Sequence, residues 1–135
     1  MKLLRWFVAG ALAVPLCHQV MLAVLNAGGW VARRPFAMTA TKPFGVPQVV
    51  SLAFWGGVWG IILGLVLLRV RGRNAYWLTA LVFGAIAPTA VALILVAPLK
   101  GQPVAVNPGM IGIGLLVNAA WGVGTAAIAR LLTRR

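Results

Sequence analysis

The sequence predicts an all-α integral membrane protein, a four-helix bundle in which the helices form two tandem hairpins. Its 135 residues include no Asp or Glu against 12 Lys and Arg, and 62% of them are apolar. Soluble domains average about 45–50% apolar and about 25% charged residues. Nucleic-acid-binding proteins carry their cations in stripes on a soluble fold, whereas the cations here separate long apolar runs. We therefore expect a lipid bilayer with anionic headgroups as the surroundings, and no nucleic acid as a partner.

Four apolar stretches have the length of a membrane crossing, which takes about 20 helical residues. Lipid cannot satisfy a bare backbone, so each stretch is expected to be a helix. The first apolar run is longer than the core of a cleaved signal peptide, about 7–15 residues, and we expect it to be retained. The four spans, in one domain over residues 1–135, run from about Leu3 to Leu25, Val49 to Val70, Ala75 to Leu99 and Met110 to Leu132.

The connections between the spans differ in character. The loop over residues 26–48 is long, and its three prolines deny it regular helix. The segment from Arg71 to Asn74 predicts a tight turn between the second and third spans. Asn107 is placed as the cap of the last helix, with Pro108 at its first position.

The cations predict the orientation. The side of the two termini carries eight of them: Lys2, Arg5, Arg69, Arg71, Arg73, Arg130, Arg134 and Arg135. The opposite side carries four: Arg33, Arg34, Lys42 and Lys100. Cytoplasmic loops are enriched in Lys and Arg, so both termini are expected in the cytoplasm. Inverted or dual topology remains the alternative.

The two halves of the chain resemble each other. Each half has a tryptophan near the start of its first helix, a proline within that helix, and Trp-Gly in its second helix. The corresponding pairs are Trp6 with Trp77, Pro15 with Pro88, and Trp59-Gly60 with Trp121-Gly122. Duplication would give two parallel hairpins related by an axis along the membrane normal. The alternative is chance recurrence, because Pro, Gly and Trp are all common in membrane helices.

Two spans carry small residues at a spacing of about four. They are Gly56, Gly60 and Gly64 in the second span, and Gly114, Gly122 and Ala126 in the fourth, where Asn118 occupies the position between Gly114 and Gly122. Such residues allow helix backbones to approach closely in lipid. We interpret them as a packing surface between these two helices, and a homo-oligomer contact is the alternative.

A set of polar and aromatic side chains falls at a similar depth inside the spans. Its members are His18, Thr89, Asn118, Trp55, Trp59 and Trp121. The first interpretation is a layer of hydrogen bonds that clamps the helices together. A substrate or gating layer is the alternative, since an ionisable residue such as His18 inside a membrane is a functional candidate.

His18 also suggests a third interpretation, as a ligand of a pigment or haem. His18 followed by Leu22 resembles the chlorophyll-ligating motif of bacterial light-harvesting polypeptides. That family has a small alanine four residues before the histidine, where this chain has Val14. The ligand role is therefore not transferred to His18, and no cofactor is expected.

The long loop combines cations with aromatic rings. Arg33, Arg34 and Lys42 are positioned to contact lipid phosphates or other anions, close to Phe36 and Phe44. The alternative is an interfacial anchor, in which the rings enter the bilayer and the cations reach back to water.

The missing carboxylates exclude most catalytic designs. Without Asp or Glu the chain has no carboxylate acid–base pair and no Ser-His-Asp triad. One histidine and one cysteine cannot supply the ligands of a structural zinc. We therefore predict no enzyme activity, no catalytic residues and no metal site.

Several stretches resemble a group of uncharacterised small inner-membrane proteins of proteobacteria. They are residues 43–47 (PFGVP), 52–57 (LAFWGG), 97–103 (APLKGQP) and 118–122 (NAAWG). The resemblance implies a bacterial inner membrane and four spans, and no activity or ligand. The expected function is that of a structural or accessory subunit, associating through glycine-rich faces into a homo-oligomer or larger complex. A small channel or transporter for an anion or neutral solute is the alternative.

Overall fold

The computed structural model describes residues 1–104 and 107–133. Its helices α1 (Lys2–Ala27), α2 (Gln48–Leu67), α3 (Arg73–Leu99) and α4 (Pro108–Leu131) are each long and apolar enough to cross a membrane. Their bounds differ from the predicted spans by at most three residues. The prediction of an all-α, multi-pass membrane bundle is confirmed.

Helices α1 and α3 each contain a π-helical segment. Val14–His18 is π-helical in α1 and includes Pro15, while Val91–Val96 is π-helical in α3 and follows Pro88. Proline has no N–H and clashes with the carbonyl one turn earlier. A wider π turn accommodates such an interruption, so both prolines change the helix geometry close to where they occur.

The turn between α2 and α3 lies slightly earlier than predicted. Helix α2 ends at Leu67 and α3 begins at Arg73, so Arg73 and Asn74 belong to the helix and not to the turn. Gly72 has a φ of 93°, which favours glycine. Its carbonyl oxygen accepts a hydrogen bond from the Tyr76 N–H at 3.0 Å, and α3 starts there.

The start of α4 agrees with the prediction. The Asn107 side chain accepts hydrogen bonds from the backbone N–H groups of Gly109 at 2.8 Å and Met110 at 3.4 Å. Pro108 occupies the first helical position, where a missing N–H costs nothing.

The loop between α1 and α2 contains a small hairpin that the prolines alone did not predict. Strands β1 (Ala40–Thr41) and β2 (Val46–Pro47) pair antiparallel, with Ala40 opposite Pro47 and Thr41 opposite Val46. The Thr41 hydroxyl donates to the Val46 carbonyl oxygen at 2.8 Å. The hairpin adjoins the first residue of α2, because the Gln48 N–H donates to the Thr39 carbonyl oxygen at 2.9 Å.

The helices pack as two hairpins, α1 with α2 and α3 with α4, which meet mainly through α1 and α4. Within each hairpin the backbones touch. A Cβ added to Gly10 would lie 2.8 Å from the Gly60 Cα, and one added to Gly84 would lie 2.7 Å from the Gly122 Cα. No side chain fits between the helices at these two crossings.

The predicted pairing of the glycine surfaces is therefore corrected. Gly56, Gly60 and Gly64 face α1, and Gly114 and Gly122 face α3, whereas the contact between α2 and α4 is minor. The physical reason is that α1 and α3 each carry a glycine at the same crossing, Gly10 and Gly84. The two helices of each hairpin can then approach more closely than α2 and α4 can.

The two crossings are equivalent residue by residue. Gly10 adjoins Gly60 and the Gly56 carbonyl in the first hairpin, as Gly84 adjoins Gly122 and the Asn118 carbonyl in the second. The surrounding sequences agree, with Gly-Ala-Leu-Ala over residues 10–13 and Gly-Ala-Ile-Ala over residues 84–87. This alignment corrects two of the predicted pairs: Trp6 corresponds to Ala80, and Pro15 to Thr89.

We predict that Gly60→Leu destabilises the bundle by about 1–3 kcal/mol, because overpacking forces the backbones apart. An added Cβ would lie 2.9 Å from the Gly10 Cα and would also meet the Trp6 carbonyl oxygen. The measurement is unfolding in maltoside micelles, followed by circular dichroism. Gly112→Leu is the matched control, since nothing lies within 4 Å of a Cβ at Gly112. An equal loss of stability in both variants would contradict the crossing.

Candidate functional site

Thr89 and Asn118 form a polar pair between α3 and α4. The Asn118 side-chain N–H donates to the Thr89 hydroxyl at 2.9 Å, and Thr89 is only 4% exposed. Gly114 makes room for the pair, because a Cβ there would lie 2.9 Å from the Thr89 Cγ2. Two of the predicted layer residues are thus brought together inside the second hairpin.

Trp121 links the two hairpins. Its ring is buried, and its indole N–H donates to the Gly10 carbonyl oxygen at 2.9 Å. A Cβ added to Gly56 would lie 3.2 Å from the same indole nitrogen. The missing side chain of Gly56 therefore leaves room for the indole.

His18 lies apart from the Thr89–Asn118 pair. It is half-buried at the end of the π-helical segment of α1, and its Nδ1 accepts a hydrogen bond from the Gln19 side-chain amide at 3.1 Å. Among the described residues, this segment makes no contact with α3, which carries Thr89. The predicted single layer is thus divided, because α1 packs against α2 and α4 and not against α3.

The other two predicted tryptophans lie on α2, away from His18 and from the Thr89–Asn118 pair. Trp59 is half-buried and packs edge-on against Phe83 of α3, with ring centroids 6.1 Å apart. Trp55 is 57% exposed and contacts Phe54 edge-on at 5.6 Å. Trp59 thus joins the hairpins through ring packing, while Trp55 faces outward.

Gln19 is a polar anchor that the sequence reasoning missed. Its side chain is 2% exposed, and its Oε1 accepts a hydrogen bond from the Phe36 backbone N–H at 2.7 Å. Phe36 has a φ of 53°, a conformation that L-residues rarely adopt. Gln19 therefore fastens the loop over residues 28–47 to α1. Its only signal in the sequence was a polar amide within an apolar run.

The loop cations remain on the surface. Arg33, Arg34 and Lys42 are exposed, and so are Phe36 and Phe44. Phe44 is 87% exposed, at the turn between β1 and β2. This arrangement suits an interfacial anchor whose rings enter lipid and whose cations contact headgroups.

The polar contacts of the candidate residues are hydrogen bonds between structural elements. Within residues 1–104 and 107–133, no three His, Cys, Asp or Glu side chains lie close enough together to hold a metal ion. The polar pairs join α3 to α4, α4 to α1, and α1 to its following loop. Each of them holds one element against another.

Comparison with known proteins adds no relative. No protein-family model, curated protein or solved structure matches the chain. The function has to be argued from the residues and their arrangement.

We predict a coupling of about 0.6 kcal/mol between Thr89 and Asn118, the typical value for hydrogen bonds between membrane helices. It is measured as a double-mutant cycle of Thr89→Val and Asn118→Leu, from unfolding in micelles. The control cycle pairs Thr89→Val with Thr125→Val, whose hydroxyl bonds to the Trp121 carbonyl oxygen within α4. That cycle should be additive. Additivity in both cycles would mean that the bond contributes nothing.

We also predict that Gln19→Leu loosens the loop. Losing the acceptor of a partly buried N–H costs about 1–3 kcal/mol, so trypsin should cut after Arg33 on the order of tenfold faster. Limited proteolysis of the protein in micelles measures the rate. Gln102→Leu, an exposed glutamine in the other loop, is the control. A rate unchanged by Gln19→Leu would show that the loop is held elsewhere.

Proposed function

We propose that this chain is a non-enzymatic structural or accessory subunit of a bacterial inner-membrane assembly, either a homo-oligomer or a larger complex. The observation that carries the proposal is that three polar side chains inside the spans, Thr89, Asn118 and Trp121, form hydrogen bonds between helices. The Thr89–Asn118 bond and the Trp121–Gly10 bond each join two helices. Groups committed to such bonds stabilise a scaffold and are not free to bind a solute.

The glycines also support a structural role, but their contacts lie within the chain and not between chains. The small residues of α2 and α4 adjoin α1 and α3, so their packing surfaces are occupied within the chain. Association with another chain must then use the outer surface. That surface is rich in large apolar side chains, among them Phe54, Trp55, Ile86 and Leu116, which are 49–57% exposed. Acyl chains and helices of a partner are the two environments that can cover it.

The proposed orientation places both termini in the cytoplasm. Arg5, Arg73 and Arg130 lie together at one end of the bundle, around the Tyr76–Trp77 pair. The opposite end carries Arg33, Arg34 and Lys42. The end with the termini has the larger number of cations, and the excess of Lys and Arg favours its cytoplasmic placement.

Purification from native membranes tests the proposal. In a mild maltoside detergent, light scattering coupled to gel filtration should give a protein mass at least twice that of one 14.2 kDa chain. A homogeneous monomer without a partner would contradict the proposal. Dilution into a harsher detergent is the control, because a specific assembly dissociates in a defined step whereas an aggregate does not.

Two further measurements address the alternative functions. Anion flux in proteoliposomes that His18→Ala abolishes would favour a channel or transporter and overturn the structural role. A visible absorption band in protein purified from native membranes, lost in the same variant, would favour pigment or haem binding. We expect neither, because the His18 Nδ1 already accepts a hydrogen bond from Gln19.

A further inference from the structure

The end of the bundle that carries the N-terminus gathers several arginines, and no described residue near them has an acidic side chain. Arg5 of α1 and Arg130 of α4 both lie close enough to Tyr76 of α3 to act on its hydroxyl electrostatically. Arginine stays protonated in proteins, and no side chain of this sequence carries a negative charge. An anion that balances these guanidinium groups at this end has to come from outside the chain's own side chains.

A cleft at this end presents two of the charges together. It lies between the first two turns of α3 and the last two turns of α4, and its volume is about 390 Å³. Its lining residues are Arg73, Trp77, Ala127, Arg130 and Leu131. Residues three or four apart share a helix face, so one face of each helix forms a wall with one arginine on it.

The Arg130 guanidinium is held in place without any ligand. It lies over the rings of Tyr76 and Trp77, 5.3 and 5.7 Å from their centroids. The two rings meet edge-on at 5.4 Å, and the Tyr76 hydroxyl donates to the Ala126 carbonyl oxygen at 3.3 Å. A cation ordered in advance loses less freedom on binding, so these rings prepare the cleft for an anion.

We propose that this cleft binds the phosphate group of an anionic membrane lipid. The planar guanidinium matches a phosphate with two parallel hydrogen bonds. The walls are otherwise apolar, because Trp77, Ala127 and Leu131 complete them. Leu81 lies one turn beyond Trp77 on the same face of α3 and is 45% exposed. The cleft thus leads from two cations to an apolar surface, the order in which a lipid presents its headgroup and its chains.

This site rests on the membrane location of the chain and not on the proposed accessory role. A monomeric protein can bind the lipid, and an oligomer can lack it. Lipid binding and oligomeric mass are therefore independent readouts.

Native mass spectrometry of the protein in micelles tests the site. Short-chain phosphatidylglycerol is titrated against phosphatidylcholine with the same acyl chains, and inorganic phosphate is a third probe. We expect phosphatidylglycerol to bind on the order of tenfold more tightly than phosphatidylcholine, and the pair Arg73→Gln and Arg130→Gln to remove this preference. The matched control pair is Arg69→Gln and Arg71→Gln, exposed arginines of the nearby turn outside the cleft. The control should keep the preference.

Two single variants separate binding from folding. Arg73→Gln changes an exposed side chain at the first residue of α3, so it should weaken lipid binding without changing the helical circular dichroism. Arg130→Lys keeps the charge but loses the planar fork, and an intermediate affinity is expected. Equal binding of the two lipids would overturn the proposal. Equal loss in the control pair, or inorganic phosphate binding as tightly as the lipid, would do the same.

Discussion

The bundle depends on direct backbone contact between helices at two glycine crossings. In lipid there is little hydrophobic driving force to bring apolar helices together, so association depends on van der Waals contact and hydrogen bonds at short range. Gly10 against Gly60, and Gly84 against Gly122, provide that range because neither member has a side chain. The same contact made twice produces two similar hairpins from two stretches of sequence that share only short matches.

The close approach also determines which polar groups can meet. Trp121 reaches the Gly10 carbonyl because no side chain at Gly56 blocks its indole. Thr89 reaches Asn118 across a gap kept narrow by Gly84 and Gly122. The glycines therefore do more than pack the helices. They place one hydrogen bond within the second hairpin and one between the two hairpins.

The missing carboxylates have a second structural consequence. Cations that cannot pair within the chain collect where other anions are available, at the two membrane surfaces. At the end of the bundle with the N-terminus, Arg130 is positioned by aromatic rings instead of by an acid. Rings can order a guanidinium without neutralising its charge, and that leaves the charge available to a lipid.

Much of the fold was predictable, because the decisive signals are local. The length of an apolar run defines a span, and Asn107 and Pro108 define a helix start. The candidate site was only partly predictable. Thr89 and Asn118 were correctly placed at one depth, but depth does not say which helices are neighbours, and His18 proved to lie elsewhere. The role of Gln19 was not predicted. Its partner is the Phe36 backbone N–H, and the sequence pattern of side chains gives no signal for a bond to a backbone group.

The sequence by itself determined the apolar surroundings, the number of membrane-spanning helices and the order in which cations and spans alternate, since these follow from apolar length and the positions of the charges along the chain. Only the tertiary structure decided that α2 packs on α1 and α4 on α3, and that Arg73 and Arg130 share a cleft. Small residues occur in every span, so composition allows many helix pairings. The choice among them depends on whether two glycines meet at the same height, and that is a property of helices placed side by side.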